Sequence, residues 1–132
     1  MSAREFVYET LKNYPALQTF VADRVYQGES LTHSTQVKPF VVYRMGNDTS
    51  ELLAEVDAFP HRQFFQVYAH DEPADYYKLD QICDAVKGAF RARNGSGVDN
   101  IYTVVYLETS RDLDDPVLNT VLRYVRFQLV MG

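Results

Sequence analysis

Arg62-Gln63-Phe64-Phe65-Gln66-Val67-Tyr68-Ala69-His70, running into Asp71-Glu72-Pro73 and a helical pattern that ends near Phe90, decides the fold. Within it Phe65, Val67 and Ala69 alternate with Gln66, Tyr68 and His70, the period-two signature of a strand with two unlike faces. Asp71-Glu72-Pro73 then supplies acids and a proline of the kind that open helices, which predicts a helix starting there. Leu79, Ile82, Val86 and Phe90 recur at i, i+3, i+7 and i+11 as one apolar stripe, while Lys78, Gln81, Asp84 and Arg91 face outward. Arg91 and Arg93 suit a last turn, and Asn94-Gly95 is a stop signal.

Working outward, Ser2 and Glu5 have capping-box spacing, and Phe6, Val7, Thr10, Leu11 and Tyr14 fall on one helical stripe. Pro15 ends or restarts that helix. Arg24-Val25-Tyr26 reads as a short strand before a polar stretch, Gln27 to Lys38. Pro39 leads into a clear strand, Phe40-Val41-Val42-Tyr43-Arg44-Met45. Beyond Phe90, Ile101 to Glu108 is a further strand, Thr109 to Pro116 a charged turn, and Asn119 to Met131 a long final strand. There Val121, Val125, Phe127, Leu129 and Met131 share one face, whereas Arg123, Tyr124, Arg126 and Gln128 make the remainder solvent-facing.

The segment Gly46 to His61 is the ambiguous one. Gly46-Asn47-Asp48-Thr49-Ser50 is turn chemistry, and Glu51 to Val56 fits either a helical turn or an extended arm. A connection this long in a compact domain is more often functional than decorative. The expected fold is one α+β domain over residues 1–132. It has a mainly antiparallel sheet of four to five strands, with one long and one or two short helices on one face. A ferredoxin-like split βαβ is the alternative.

Apolar residues make up 46% of the 132 and charged residues 23%, which is globular composition. Ten Tyr and eight Phe stand beside no Trp, and Tyr suits surfaces that become half-buried in an assembly. A formal charge of −5 removes the electrostatic footprint of tight phosphate-backbone binding. No charged-then-apolar signal opens the chain and no apolar run reaches the length of a membrane span, so the expectation is a reducing cytoplasm.

Catalytic templates fail one by one. His33, His61 and His70 lack any spacing that brings two imidazoles to one metal. His70-Asp71-Glu72 cannot converge, because consecutive strand residues point to opposite faces. The lone Cys83 sits beside the apolar stripe, where a thiol acts as a small hydrophobe. Asn94-Gly95-Ser96-Gly97 lacks the lysine of a phosphate loop and follows a helix instead of preceding one. Arg111-Asp112-Leu113-Asp114-Asp115 has too few ligands and no glycine for a calcium loop. The expectation is a protein that is not an enzyme and takes no metal or cofactor.

Several stretches carry a family resemblance. Ala22-Asp23-Arg24-Val25-Tyr26 resembles the aspartate-arginine-isoleucine-tyrosine strand of phage tail-completion (tail terminator) proteins. Lys38-Pro39-Phe40-Val41-Val42-Tyr43 is similar to their proline-aromatic-apolar second strand. Phe64 to His70 followed by Tyr77 to Phe90 resembles their strand-and-helix block, and Arg123 to Leu129 their closing strand. The resemblance spans nearly the whole chain in order and spacing. It implies a structural role at the head–tail junction of a virion. There a ring, typically hexameric, would cap the tail tube protein, stop polymerisation, and present a surface to the head–tail connector or neck protein. DNA would pass through the lumen without specific binding.

The family's interface residues are not motif-defined, so the candidates come from the residues themselves. They are Leu52, Leu53, Val56 and Phe59 on the arm, and Arg111, Asp112, Asp114 and Asp115 on the acidic turn. The competing readings are an adjacent neck component, a ligand-binding α+β domain with a pocket between long helix and sheet, and an adaptor that takes a peptide at a sheet edge.

Overall fold

The computed structural model describes residues 2–28, 37–50, 61–93 and 101–131. Helix α1 (Ala3–Asn13) starts as the Ser2–Glu5 spacing predicts. The Ser2 hydroxyl accepts the Glu5 N–H and donates to the Glu5 carboxylate, both at 3.1 Å, which satisfies a donor that the first turn leaves open. Phe6, Val7 and Leu11 are buried, and the buried Thr10 hydroxyl donates to the Phe6 carbonyl at 2.6 Å. Pro15 restarts the chain as α2 (Pro15–Val21), which buries Leu17 and Val21.

The remaining elements are β1 (Val25–Gln27), β2 (Phe40–Ser50), β3 (His61–Asp71), α3 (Tyr76–Arg93), β4 (Ile101–Thr109), β5 (Leu113–Asp115) and β6 (Thr120–Met131). They form a sheet of order β1-β2-β3-β6-β4, with β5 also paired to β6. Every ladder is antiparallel except β1 with β2. The class is therefore the expected α+β, mainly antiparallel, with six strands among the described residues where four or five were anticipated. The extra one comes from the charged turn, whose Leu113–Asp115 pairs with Thr120–Leu122. Because β3 and β4 both run antiparallel to β6, which lies between them, β3-α3-β4 is also a split βαβ unit.

Three expectations change. First, Gly46–Ser50 is strand, not turn: β2 continues through a register shift between Met45 and Asp48. Gly46 absorbs the irregularity, since a Cβ there would stand 3.1 Å from the Phe64 carbonyl oxygen. His61 likewise belongs to β3, so the connection shrinks to 51–60, outside the described residues. Second, α3 begins at Tyr76 instead of Asp71. Asp71 is still held in the ladder opposite Val121, and the Asp75 N–H donates to the Glu72 carbonyl at 3.1 Å around Ala74 at φ 72. Third, Arg123 faces the helices, where its Nη1 donates to Asp80 Oδ1 at 2.6 Å. The polar linker over 29–36 and the Asn94-Gly95 stop signal lie outside the described residues.

Odd-numbered residues of β3 and β6 meet the helices. Leu79, Ile82, Val86 and Phe90 are at most 1% exposed and pack on Phe65, Val67, Val125 and Phe127. Phe90 stands 5.0 Å from the Phe65 ring and 4.7 Å from the Phe127 ring, filling the space between helix and sheet. Beside it, toward the β4 edge, a cleft of about 320 Å³ stays between helix and sheet, lined by Lys87, Phe90, Arg91, Val104, Tyr106 and Phe127. Cys83 is buried in the same layer, and burial pushes its thiol up to about 11, so it packs as a hydrophobe. Among the described residues no helix is long and apolar enough to cross a membrane.

Candidate assembly interface

Among the described residues, alternation along the strands leaves a second face of the sheet without helices. β2 sends Phe40, Val42 and Arg44 there, β3 sends Phe64, Gln66, Tyr68 and His70, and β6 sends Leu122, Tyr124 and Arg126. This face is not simply a wet surface. Phe40, Val42 and Leu118 form a small second core against which Tyr26 and Tyr68 pack. The His70 ring is stacked on Phe40 at 4.7 Å, and its Nδ1 lies 2.8 Å from Thr120 Oγ1. Burial lowers the His70 pKa to about 4, with Asp115 opposing that shift, so the imidazole is neutral at pH 7.

Arginine and aromatic rings then interleave across the exposed part. The Arg44 guanidinium lies 6.0 Å over the Tyr68 ring, and the Arg126 guanidinium 5.0 Å over Phe64. Tyr68 donates its hydroxyl to Gln66 Oε1 at 2.7 Å, and its pKa is raised by burial. Beside this strip, Arg44, Tyr68, His70, Asp115, Leu118 and Leu122 line a groove of about 300 Å³. Large, orientable aromatic and arginine side chains of this kind dominate protein interfaces.

The acidic turn is shaped by its own Asp115. Asp115 Oδ1 accepts the N–H groups of Val117 and Leu118, each at 3.0 Å. That Asx-type turn reverses the chain and drops Leu118 onto the helix-free face. Asp112 lies 3.8 Å from Arg123 Nε, while Arg111 and Asp114 stay exposed. Of the four turn candidates, Asp115 braces the fold through its backbone hydrogen bonds, whereas Arg111, Asp112 and Asp114 are exposed. The structure does not describe Leu52, Leu53, Val56 or Phe59.

Sequence reasoning missed two exposed features. On the edge strand β4, Val105, Tyr106 and Leu107 are 40%, 47% and 40% exposed. They follow one another because the register slips between Tyr106 and Glu108. At the start of α3, Tyr76 is 44% and Tyr77 88% exposed. The signal for Tyr77 was present, since it lies opposite the Leu79-Ile82-Val86-Phe90 stripe, whereas Tyr76, three residues before Leu79, flanks it. Among the described residues no three His, Cys, Asp or Glu side chains gather as a metal site.

No family model matches the chain, and no curated protein matches it in sequence. Solved structures do match it. A chain of the virion of a native gene transfer agent particle has a TM-score of 0.70 and 14% identity, over 96% of this chain and 92% of that one. The gp17 protein of bacteriophage SPP1 has a TM-score of 0.51 and 17% identity, over 98% of this chain and 88% of that one. At such identities the fold is what is shared. Both likenesses run almost end to end, so the whole domain is the common object: a fold found in a virion particle and in a bacteriophage protein.

Proposed function

We propose that this chain is a structural component of a phage-type tail, a tail terminator. In this reading a homo-oligomeric ring, hexameric by family resemblance, sits on the head-proximal end of the tail tube, stops polymerisation and receives the head through a connector or neck protein. The observation that carries it is the end-to-end fold likeness to a chain of a virion particle. The order of tail-completion-like stretches along the sequence independently supports it.

The physical properties suit the role. A closed ring needs head-to-tail contacts between unlike surfaces. The domain offers two sheet edges, β1 and β4, and two unlike layers, one helical and one open. An overall charge of −5 suits a lumen that passes DNA without holding it, because like charges repel. None of these properties requires bond-making chemistry, and the proposed role is not enzymatic.

The test is electron microscopy of particles assembled without the chain. The expected result is tails of unregulated length with no heads attached. Tails of normal fixed length would remove the terminator role. Normal tails that fail only to join heads would move the chain to an adjacent neck position.

A further inference from the structure

We infer that the outer edge of β4 and the cleft beside it receive the segment 51–60 of a second copy of this chain, an assignment that rests on the proposed self-association. β4 ends the strand order on its side of the sheet, and there Val105, Tyr106 and Leu107 stand exposed in succession. Proteins commonly blunt such an edge with charge, with proline or with a covering segment. Val105 to Leu107 has neither charge nor proline.

The cleft between this edge and α3 holds about 320 Å³ over a floor of Phe90, Val104 and Phe127. Its rim carries Lys87 and Arg91 and no carboxylate. Lys87 is shared with Asp84 at 3.4 Å, whereas Arg91 has no ion pair among the described residues. From Ala85 to Arg93 the helix has three cations and no acid. The Tyr106 ring forms one wall. Its hydroxyl is 2.6 Å from Thr109 Oγ1 and the Lys87 ammonium lies 5.2 Å from its centroid, so the wall is set before a partner arrives. An edge with a pocket beside it is built for strand addition: main-chain hydrogen bonds hold the segment, and the pocket reads alternate side chains.

Such an occupant is apolar and acidic with a period of two, and 51–60 has that pattern. Glu51-Leu52-Leu53-Ala54-Glu55-Val56-Asp57-Ala58-Phe59-Pro60 contains three acids and no base. Alternation separates Leu52, Ala54, Val56 and Ala58 from Leu53, Glu55, Asp57 and Phe59. Laid along β4, the second set brings Leu53 or Phe59 to the floor, according to strand direction, with Glu55 and Asp57 at the cationic rim. The first set then lies beside Val105, which pairs with Gln128 and belongs to the other face of the sheet.

Position in the fold points to a neighbouring copy. β2 and β3 are paired as far as Ser50 with His61, and His61 pairs with Met131, which pairs with Ile101. Both ends of 51–60 are thus fixed at the end of the sheet where β4 begins, two strand spacings or about 10 Å from it. To cover β4 of its own copy the segment would have to cross that distance and reverse direction within ten residues. The edge of another copy takes it without reversal. The contact joins unlike surfaces, the heterologous type from which rings close.

The experiment is sedimentation of full-length variants, with circular dichroism to verify folding. Arg91→Glu reverses the rim, and Glu55→Lys with Asp57→Lys reverses the segment. Each variant should associate at least about tenfold more weakly than the parent. The chain carrying all three changes restores opposite signs and should recover most of the lost association. Undiminished association of either folded variant, or no recovery in the combined one, overturns the assignment and leaves self-association standing.

A photo-crosslinking residue in place of Val56 supplies the second readout, in particles assembled from isotope-labelled and unlabelled copies. Crosslinks from one copy to β4 or α3 of another support the assignment, and they decide it where the parent stays monomeric up to about 1 mM. Crosslinks confined to one copy, to another surface of this chain or to a different virion protein overturn it. Absence of the chain from particles removes the proposed function and the assignment with it.

Discussion

His70 lies flat on Phe40, with ring centroids 4.7 Å apart and planes 10° from parallel, and its Nδ1 reaches the Thr120 hydroxyl at 2.8 Å. This contact ties β3 to both neighbouring strands on the face that lacks helices.

A pH dependence follows from it. Burial depresses the folded-state pKa of His70 to about 4 from the ordinary 6.5, so the unfolded chain takes up the proton first as pH falls. The neutral imidazole's contribution is fully present above about pH 6.5 and is lost between there and about pH 4, amounting to about 3 kcal/mol. Urea denaturation at several pH values should show that decline in the parent and a flatter profile in His70→Gln. Equal slopes in the two proteins would show that His70 does not titrate this way.

The acidic turn predicts a contrast between adjacent carboxylates. Asp115→Ala removes the acceptor for two backbone N–H groups and should cost about 1–2 kcal/mol, in line with loss of a helix-cap acceptor. Asp114→Ala, at an exposed position, should change stability by less than about 0.5 kcal/mol. Chemical denaturation of both variants gives the comparison, and equal losses would contradict the assigned roles.

Arg123 brings three segments together. Its Nη1 donates to Asp80 on α3, its Nε donates to the Ser110 carbonyl at 2.9 Å, and Asp112 lies 3.8 Å away. Arg123→Met keeps the aliphatic stem but releases all three partners, and should cost about 1–3 kcal/mol for hydrogen bonds to a charged, half-buried group. Hydrogen exchange should rise first over residues 109–115.

Replacing 51–60 with a two-residue Asn-Gly turn tests the arm. The β2–β3 ladder is paired as far as Ser50 with His61, so a tight turn can close it. The shortened chain should keep its cooperative unfolding and fail in particle assembly, because Leu52, Leu53, Val56 and Phe59 are gone. Loss of the folded state would place the segment in the core instead.

Legibility in the sequence followed burial on one side. The stripe Leu79-Ile82-Val86-Phe90 and the set Phe65-Val67-Ala69 announce themselves because one face is uniformly apolar. The opposite face carries Gln66, Tyr68 and His70 on β3 and Tyr124 and Arg126 on β6, where the polar set reads as solvent-facing. What alternation cannot reveal is that Asp115 folds Leu118 back over that face and turns a polar-looking stripe into a small core. The start of α3 was misread for a related reason: Asp71-Glu72-Pro73 satisfies local helix rules, but the ladder with β6 holds Asp71 extended. Strand pairing across fifty residues overrode a local preference.

β6 holds the middle of the sheet, bonded to β3 along one side and to β4 and β5 along the other, and it follows all of them in the chain. A nascent polypeptide that has released everything up to Asn119 therefore carries β3, β4 and β5 with their pairing groups open. Such groups invite contact with other chains. Residues 120–131 act as a keystone fitted last, so synthesis arrested before them should yield a sticky fragment instead of a smaller stable domain.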